Sequence, residues 1–388
     1  MSLGWWIYGA ILGALWLWRA AEAIVGMRKV ADISEPHWEQ YPSLRVTIVV
    51  PAKDEGENIE QCLKSLLALD YPNYEIVAVD DRSEDQTGAI MDRLHAKYPD
   101  KLKVIHITEV PPGWLGKTHA MWKGAAETSH SDWILFTDGD VFFRPDALRR
   151  SVAYAESSGA NHLVIFPTLI MKGFGEQMAL SAIQAVFSLW QRPWKVQDPT
   201  ARDHVGAGAF NLVRRDSYHA LGTYEALRLE VLDDIKLGKA IKDHGFTQHC
   251  VFGRDLVSVR WATGAFGVVN NLTKNFFSLL RFNWLLTLAV VSVLTIFNLG
   301  IPLGLVLAPG LAKIGFALAY AAVAALYIRT SRSAPIRSLY FVFYPLAATL
   351  FIFAILRSMV VTLWQGGIVW RGTKYSLEQL RAASADPQ

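Results

Sequence analysis

Acidic side chains follow three of the short apolar runs in this sequence. They are Asp54 and Glu55, then Asp80 and Asp81, then Asp138 and Asp140. One acidic turn alone is most often a solvated loop or a helix cap, because aspartate and asparagine favour both. Three such turns at the ends of strands in one domain instead predict an acidic crevice, which suits a divalent cation and a polyhydroxyl ligand.

The side chains of Asp138 and Asp140 are of the type that binds a hard cation. We expect extended backbone here, which would place these two side chains on the same side of the chain, and Gly139 allows close backbone approach. Carboxylate oxygens suit Mg²⁺ or Mn²⁺, and such ions usually bridge a protein to the phosphates of a substrate. The spacing alone is common by chance, but at the end of a buried strand it predicts a metal site.

Asp233 and Asp234 form a further acidic pair. Adjacent carboxylates can raise one another's pKa, which helps a general base to work near neutral pH. The alternative, from these residues alone, is an acidic first helical turn favoured by the helix dipole. Lys117, which follows Gly116, is in the same way either a solvated lysine at a helix start or a cation placed to approach a phosphate.

Between Arg45 and Arg260, β-rich runs alternate with helical stretches, which predicts an α/β domain with a mostly parallel sheet and helices on both faces. The predicted strands are Val46–Val50, Glu75–Val79, Lys103–Ile107, Trp133–Thr137 and His162–Phe166. The predicted helices are Asn58–Leu69, Thr87–Tyr98, Thr118–Thr128 and Pro145–Glu156. Ligands of such sheets bind at the carboxyl ends of the strands, which is where the acidic turns lie.

Both ends of the chain are apolar enough to enter a membrane. The predicted spans are Gly4–Met27, Trp284–Ala308, Leu311–Ile328 and Ser338–Trp364, and each approaches or exceeds the roughly 20 residues that a span needs. Charged residues make up 19% of the chain, below the about 25% of soluble domains. Two cysteines exclude a disulfide scaffold or a four-thiolate metal site. A net charge of +3 gives no argument for nucleic acid as a partner.

Lysines and arginines beside the spans predict their orientation. Those that fit one cytoplasmic side are Arg28, Lys29, Lys274, Arg281, Arg329, Arg332 and Arg337. The amino terminus is then outside, and so are Arg371, Lys374 and Arg381, where positive charge is disfavoured. Either one segment is re-entrant, for example at Gly300-Ile301-Pro302, or the basic tail is tolerated outside.

Four motifs, in this order, resemble those of the inverting glycosyltransferases of family 2. They are Val49-Val50-Pro51-Ala52-Lys53-Asp54-Glu55; Val79-Asp80-Asp81-Arg82-Ser83 with Asp85 and Thr87; Gly116-Lys117-Thr118-His119-Ala120 with Gly124; and Asp138-Gly139-Asp140. The resemblance covers roughly Arg45 to Arg260. It implies a GT-A fold, the Rossmann-like, mostly parallel α/β fold of nucleotide-diphospho-sugar transferases, here joined to transmembrane α-helices.

The resemblance also implies a role for each motif. The implied nucleoside contacts are Pro51, Ala52, Asp54, Glu55, Asp80 and Asp81. Lys117 would approach the diphosphate, and Asp138 would contact the ribose or the sugar beside the metal. Asp140, with Asp138, would bind the Mg²⁺ or Mn²⁺ that stabilises the departing diphosphate. Asp234 would be the general base, with Asp233 at the position where glutamate is usual.

The acceptor class is predicted from the motifs around this core. Processive family members carry Q-x-x-R-W after the base, of which Val259-Arg260-Trp261 keeps only the last pair. Gly113-Trp114-Leu115-Gly116-Lys117 and Trp370-Arg371-Gly372-Thr373-Lys374-Tyr375 resemble lipid-modifying members, namely the ceramide, carotenoid and hopene-associated types, the last being most similar. This implies transfer of one sugar from a nucleotide-diphospho-sugar, a UDP-hexose, to a lipid or other hydrophobic acceptor. The alternatives are a processive polysaccharide synthase and a catalytically silent membrane scaffold.

The expected domain plan follows from these segments. Residues 1–28 form a transmembrane helix, 29–270 the cytoplasmic catalytic domain, 271–283 an interfacial segment, 284–370 three transmembrane segments and 371–388 a polar tail. Within the catalytic domain, the stretch near 175–194 is either an interfacial helix or buried core. We therefore expect an integral protein of a bacterial inner membrane whose partners are the sugar donor, a lipid and the membrane, with no nucleic acid.

Overall fold

The computed structural model describes residues 2–35, 38, 43–128, 130–370 and 373–385. The chain divides into two compact units. The sheet unit comprises Val30–Ile170 and Pro193–Arg260, and the helical unit comprises Met1–Lys29, Met171–Arg192 and Trp261–Gln388. Each unit is described below by itself.

Strands and helices are numbered in chain order over the described residues. The strands are β1 Val46–Ala52, β2 Tyr74–Asp81, β3 Leu102–Ile107, β4 Trp133–Phe136, β5 Val141–Phe143, β6 His162–Phe166, β7 Thr168–Leu169, β8 Asn211–Arg214, β9 Gln248–Phe252, β10 Val257–Val259, β11 Gly367–Trp370 and β12 Thr373–Ser376. The helices are α1 Ser2–Gly26, α2 Ile59–Leu67, α3 Thr87–Lys97, α4 Gly116–Ala126, α5 Ala147–Ser158, α6 Phe174–Gln191, α7 Arg215–Ala220, α8 Asp233–Asp243, α9 Gly264–Leu279, α10 Trp284–Leu294, α11 Gly300–Leu307, α12 Lys313–Thr330, α13 Tyr344–Gln365 and α14 Leu377–Ala385.

The sheet unit is built on a mostly parallel sheet with the strand order β3-β2-β1-β4-β8-β6-β9. Strand β8 runs antiparallel to both of its neighbours, and the other pairs are parallel. Strand β1 is buried along its whole length, as expected for a parallel strand that is covered on both faces. The five predicted strands and the four predicted helices are all present, so the predicted α/β class is confirmed.

The turn after β4 differs from the prediction. The strand ends at Phe136, and residues 138–140 enter a turn that leads directly into β5. Strand β5 leaves the main sheet and pairs with β10 in a small second sheet. The expectation of extended backbone at Asp138–Asp140 is therefore wrong, because the chain must change direction there to reach the second sheet.

In the helical unit, α1 and α12 approach each other through glycines. A Cβ atom on Gly315 would overlap the carbonyl group of Gly9, and one on Gly13 would meet the backbone of Gly315. The Phe316 ring fills the space beside Gly9 and Gly304. Close backbone contact through small residues is typical of helices that associate in membranes.

Four helical segments among the described residues are long and apolar enough to cross a membrane. They are Leu3–Lys29, Trp284–Leu307, Gly310–Thr330 and Ser338–Gln365. The lengths and compositions of the four predicted spans are thus confirmed.

The chain does not turn back at Gly300-Ile301-Pro302, so this position for a re-entrant segment is wrong. Helix α10 continues through a π-helical turn, Thr295–Leu299, into α11. Pro302 has no N–H to donate to the carbonyl group four residues earlier, and a π-turn accommodates such a missing bond. The side chain of Asn298 accepts a hydrogen bond from the Tyr344 hydroxyl there.

Helix α13 runs toward the α9–α10 turn. The Tyr320 hydroxyl donates to the carbonyl oxygen of Phe341 at 3.2 Å, so the segment before α13 lies alongside α12 rather than beyond its end. After α13, the Arg381 guanidinium donates to the carbonyl oxygen of Phe282 at 3.0 Å. The carboxyl-terminal tail therefore lies beside the residues that precede α10.

Helix α6 belongs to the helical unit although its neighbours in sequence belong to the sheet unit. Glu176 accepts a hydrogen bond from the backbone of Gly264 at 2.9 Å, and the rings of Phe174 and Phe343 are 5.0 Å apart. The helix ends at Gln191. Trp194 is buried in a separate 3₁₀ turn of the sheet unit. The prediction that the helix continues to Trp194 is therefore wrong.

The predicted boundary at residues 270 and 271 falls inside α9, which begins at Gly264. The side chain of Phe187 in α6 lies outside the described residues. Arg371 in the tail also lies outside them.

Candidate active site

The loop after β1 is fastened to the loop after β2. The backbone N–H of Asp54 donates to Ser83 Oγ at 3.0 Å, and the N–H of Glu84 donates back to Asp54 Oδ1 at 2.8 Å. Asp54 has a positive φ of 54°, a strained conformation that this reciprocal pair holds in place. The two loops thus form one rigid rim at the carboxyl ends of neighbouring strands.

Asp85 and Thr87 complete this rim. The N–H of Glu55 donates to Thr87 Oγ1 at 2.8 Å, and the N–H of Gly56 donates to Asp85 Oδ2 at 2.8 Å. The hydroxyl of Thr87 in turn donates to Asp85 Oδ1. Fully buried, Thr87 therefore couples the start of α3 to the loop after β1.

Asp80 and Asp81 are both buried at the end of β2, and each has its own cationic neighbour. Arg82 forms two bonds to Asp81, of 2.8 and 3.1 Å. Asp80 Oδ2 lies 3.0 Å from His106 Nδ1, and the other ring nitrogen of His106 lies 2.9 Å from Asp92. Hydrogen bonds to Asp92 and then Asp80 raise the pKa of His106 above its ordinary value.

Lys117 stands between two carboxylates at the start of α4. Its ammonium nitrogen is 2.9 Å from Asp138 Oδ1 and 3.3 Å from Asp233 Oδ1. Burial alone would lower the pKa of Lys117, but the charges of Asp138, Asp233 and Asp234 outweigh it and raise the pKa above its usual range. Lys117 therefore stays charged and joins α4, the turn after β4 and α8.

Asp233 is the most deeply buried member of this group. Burial, opposed by Lys117 and reinforced by Asp234 and Asp138, raises the pKa of Asp233 to about 7. Its Oδ2 atom has no hydrogen-bond partner among the described residues. One cation facing three carboxylates leaves the buried one undercompensated, with burial as the largest cause of the raised pKa.

Asp234 is half-buried in the first turn of α8. Its Oδ2 accepts from the N–H of Gly208 at 2.8 Å, and its Oδ1 accepts from the N–H of Ile235 at 2.7 Å. Gly208 also accepts, through its carbonyl oxygen, from the N–H of Asp138 at 3.0 Å. A Cβ atom on Gly208 would overlap the Asp138 carboxylate, and one on Gly206 would overlap the Asp234 carbonyl group.

Asp138 and Asp140, the predicted metal ligands, are both half-buried in the turn after β4. Over the described residues, no group of three or more His, Cys, Asp or Glu side chains is placed to hold a metal ion. Two carboxylates fit a cation that takes its remaining ligands from water and substrate phosphates, which is how Mg²⁺ is commonly held. The donor set thus fits a metal that arrives with its nucleotide.

The loop before α4 is anchored to the segment that precedes α8. The N–H of Leu115 and the hydroxyl of Thr118 both donate to the carbonyl oxygen of Arg228, at 2.8 and 2.7 Å. Gly116 has no room for a side chain, because a Cβ atom there would overlap the Asp81 carboxylate. This packing places Lys117 next to the rim at the end of β2.

Residues 47–222 match the profile of Glycosyl transferase family 2. This segment is a glycosyltransferase family 2 domain. With its mostly parallel sheet, it has the GT-A fold.

Individual relatives of the family 2 domain are distant. The chain is 33% identical over 203 residues to beta-monoglucosyldiacylglycerol synthase of Synechocystis sp., covering 47% of this chain and 40% of that one. It is 24% identical over 201 residues to 4,4'-diaponeurosporenoate glycosyltransferase of Staphylococcus aureus, covering 50% of each. The chain thus spans half or less of the length of these curated relatives.

A solved structure of similar fold is the mannosyltransferase PcManGT of Pyrobaculum calidifontis, described in complex with GDP-Man and Mn²⁺. The TM-score is 0.49 at 18% sequence identity, over 94% of this chain and 98% of that one.

The sequence-predicted site residues of the sheet unit converge on one edge of the sheet. Lys117, Asp138, Asp233 and Asp234 form one connected group. Glu55 lies beside the acidic turn, since a Cβ atom on Gly139 would come within 3.6 Å of Glu55 Cγ. The side chains of Pro51 and Ala52 are buried at the end of β1, so these two residues offer backbone rather than side chain to a ligand.

Sequence reasoning missed several residues of this edge. His106 contacts Asp80, and Asp92 contacts His106 in turn. The carbonyl oxygen of Arg228 accepts hydrogen bonds from Leu115 and Thr118. They lie on different elements from their partners, and no spacing in the sequence connects them. Thr87, by contrast, could be found, because its position two residues after Asp85 is typical of a helix start capped by aspartate.

Proposed function

We propose that this protein is a membrane glycosyltransferase that moves one sugar, with inversion, from a UDP-hexose to a hydroxyl group of a lipid. The observation that carries the proposal is the half-buried Lys117 between Asp138 and Asp233, beside the half-buried Asp234. A fixed cation for a diphosphate and a reachable carboxylate for a proton are the two groups that a direct displacement needs.

In this proposal, the rim formed by the loops after β1 and β2 holds the nucleoside. Asp80 and Asp81 supply buried, oriented carboxylates that can accept hydrogen bonds from ribose or base. Lys117 lies next to them and faces the diphosphate. Mg²⁺ or Mn²⁺, held by Asp140 with Asp138, would act as a Lewis acid on the departing diphosphate.

Asp234 takes the proton of the attacking hydroxyl. The acceptor oxygen forms its bond to the anomeric carbon as the bond from that carbon to the diphosphate breaks, which inverts the configuration. The N–H of Gly208 fixes the orientation of the Asp234 carboxylate before substrate arrives, and such preorganisation is what makes a base efficient. Asp233 holds Lys117 in place from the buried side.

A lipid acceptor is supported by two observations. The named activities of both curated relatives concern lipids, a glucosyldiacylglycerol in one and a carotenoid acid in the other. Four helices of the chain have the length and composition of membrane spans. An acceptor that stays in the bilayer requires an enzyme that stays there too.

The proposed orientation places the sheet unit in the cytoplasm and the amino terminus outside. Basic residues at the ends of α1 and α12 support it, and the Arg329 guanidinium donates to the carbonyl oxygen of Met27. The tail contact between Arg381 and Phe282 supports a re-entrant last segment, Ser338–Gln365, which would keep the basic tail on the cytoplasmic side.

The test is thermal stabilisation of the detergent-purified protein by UDP, GDP and UDP-sugars, each with Mn²⁺, Mg²⁺ or chelator. A ligand at 100 times its Kd stabilises the native state by about 2.7 kcal/mol. We expect stabilisation by UDP with metal that chelator removes and Asp140→Asn abolishes. The matched control is Asp100→Asn, an exposed aspartate before β3.

Three results would contradict the proposal. No response to any nucleotide would favour the silent scaffold. Stabilisation by UDP that is unaffected by chelator would exclude a role for a divalent metal in binding UDP. Long sugar chains in a transfer assay would favour the processive synthase instead of single transfer.

A further inference from the structure

Arg357 is the only charged residue between Ser338 and Gln365, the longest of the four apolar helical segments. The structure places it half-buried on α13. A charged side chain within an apolar segment is costly in a membrane, and such residues usually serve a binding or transport function. Nothing in the proposed sugar transfer uses this arginine.

Hydrogen bonds between α9 and α13 orient Arg357. Its Nη1 donates to Thr273 Oγ1 at 2.5 Å, and the Thr273 hydroxyl donates to the carbonyl oxygen of Val269 at 2.7 Å. Ser358 secures the same crossing, because its Oγ accepts from the N–H of Phe277 at 2.9 Å and donates to the carbonyl oxygen of Thr273. Hydrogen bonds at the crossing of α9 and α13 thus fix the position of the guanidinium.

The protein supplies no carboxylate to this guanidinium within the described residues. The acidic side chains of the helical unit there are Glu22, Glu176 and Glu378. Glu22 pairs with Arg19, Glu176 accepts from the backbone of Lys172 and Gly264, and none forms an ion pair with Arg357. An arginine has five N–H donors, and the fork that remains here matches the two oxygens of a phosphate or carboxylate.

The surroundings of Arg357 restrict what the anion can be. Two turns before Arg357 on α13, Phe351 packs edge-on against Phe276 of α9 with ring centroids 4.9 Å apart. Further apolar side chains of α10 and α13, among them Leu294 and Ile352, complete this cluster. A ligand that reaches the guanidinium from the membrane must therefore combine an oxyanion with an apolar body.

We propose that Arg357, oriented by Thr273, binds the phosphate or carboxylate oxyanion of an anionic membrane lipid. The site lies at the crossing of α9 and α13 in the helical unit. It is separate from the nucleotide site and requires only that the helical unit is inserted in a membrane. The bound lipid neutralises the positive charge of Arg357, for which the described part of the unit offers no carboxylate.

The experiment measures thermal stabilisation of the full chain in a zwitterionic detergent on addition of phosphatidylglycerol, phosphatidylcholine or inorganic phosphate. We expect stabilisation by phosphatidylglycerol alone. Arg357→Gln is expected to weaken the apparent affinity for phosphatidylglycerol about tenfold or more, the usual effect of losing charge-assisted bonds. Thr273→Val keeps the charge but loses its orientation, so we expect a smaller loss.

Lys313→Gln is the matched control, because it also removes one positive charge from an apolar helical segment, at an exposed position on α12. It should leave the response to phosphatidylglycerol unchanged. UDP is added to every sample as an independent readout, and its effect should be the same in all variants that fold.

Three results would overturn this proposal. The first is equal stabilisation of Arg357→Gln and wild type by phosphatidylglycerol. The second is an equal effect of Lys313→Gln, which would mean a general response to charge. The third is stabilisation by inorganic phosphate to the same extent as by phosphatidylglycerol, which would show that the site does not require a lipid. If Arg357→Gln does not fold, Arg357→Lys replaces it, since a lysine keeps the charge but has no fork, and unchanged affinity in that variant also contradicts the proposal.

Discussion

The two units of this protein have opposite charge. The sheet unit has 23 lysines and arginines against 31 aspartates and glutamates, a formal net charge of −8. The helical unit has 15 against four, a net charge of +11. The modest +3 of the whole chain conceals both values. An acidic unit suits a cation and sugar hydroxyls, whereas a basic helical unit suits an anionic membrane surface, so net charge is informative here only unit by unit.

The units also differ in what fixes the position of the backbone. In the sheet unit, the buried Thr87 and the exposed Asp85 hold loops through hydrogen bonds. In the helical unit, glycines such as Gly315 let one helix backbone touch another. The following four changes test the polar contacts of the sheet unit and the steric contact between α1 and α12 separately.

The largest effect is expected from Asp234→Asn. An amide cannot take the proton of the acceptor hydroxyl, so transfer should fall by about 10² to 10⁴-fold, the usual contribution of a general base. Binding of UDP should persist. Steady-state transfer to a lipid acceptor measures the first quantity, and thermal stabilisation by UDP measures the second.

Asp243→Asn is the control for this change, because Asp243 is an exposed residue at the other end of the same helix. Wild-type turnover of Asp234→Asn would disprove the assignment of the base.

Gly315→Ala tests steric fit in the helical unit. The added Cβ atom would lie on the carbonyl group of Gly9, a backbone atom that cannot rotate away. We expect a loss of about 1–3 kcal/mol in unfolding free energy, as for other overpacked contacts. Gly4→Ala on α1, which has no atom within 4 Å of its added Cβ, is the control. Equal stability of the two variants in detergent melts would show that α1 and α12 do not need this contact.

Thr87→Val tests polar bonding in the sheet unit. The hydroxyl that accepts from Glu55 and donates to Asp85 is lost in a fully buried position, which should cost about 1–3 kcal/mol through the unsatisfied N–H. Thr200→Val removes the same kind of bond to Asp198 in an exposed turn and should cost little. Chemical denaturation compares the two, and similar losses would mean that the bond between loops adds nothing.

His106→Gln should give the smallest effect, seen in pH dependence. Asp92 and Asp80 raise the pKa of His106, so its contribution to stability is complete below the unfolded value of 6.5 and is lost as pH rises through the higher folded value. Wild type should therefore lose stability above about pH 6.5 more steeply than the variant. Melting curves at several pH values, with exposed His244→Gln as control, measure this difference; parallel curves would argue against it.

The sequence was a good guide wherever one local pattern determines the structure. Apolar runs predicted β1, β2 and β4 because a strand buried on both faces must be apolar throughout. The acidic ends of these strands met at one edge because parallel strands end there together. Asp138 and Asp234, nearly 100 residues apart, are joined through Gly208, and only the family resemblance connected them beforehand.

Other features could not be predicted from the sequence because they depend on contacts between residues that are distant in the chain. The turn at Asp138–Asp140 follows from the pairing of β5 with β10, a strand more than 100 residues later. The raised pKa of Asp233 depends on how deeply α8 is buried and on one lysine serving three carboxylates. The helical pattern of α6 was visible, but a helix buried among helices and one lying on a membrane have the same apolar face.

The path of α6 has a consequence for how the chain folds as it is made. Strand β8 lies between β4 and β6 in the sheet, yet it is synthesised only after α6. Three partners of α6 in the helical unit, α9, α12 and α13, emerge later still, on the order of ten seconds or more at ribosomal speed. During that interval the apolar face of α6 must be shielded by lipid or a chaperone. A fragment that stops at Arg260 would keep this face uncovered, so the family 2 domain cannot simply be cut out as a soluble enzyme.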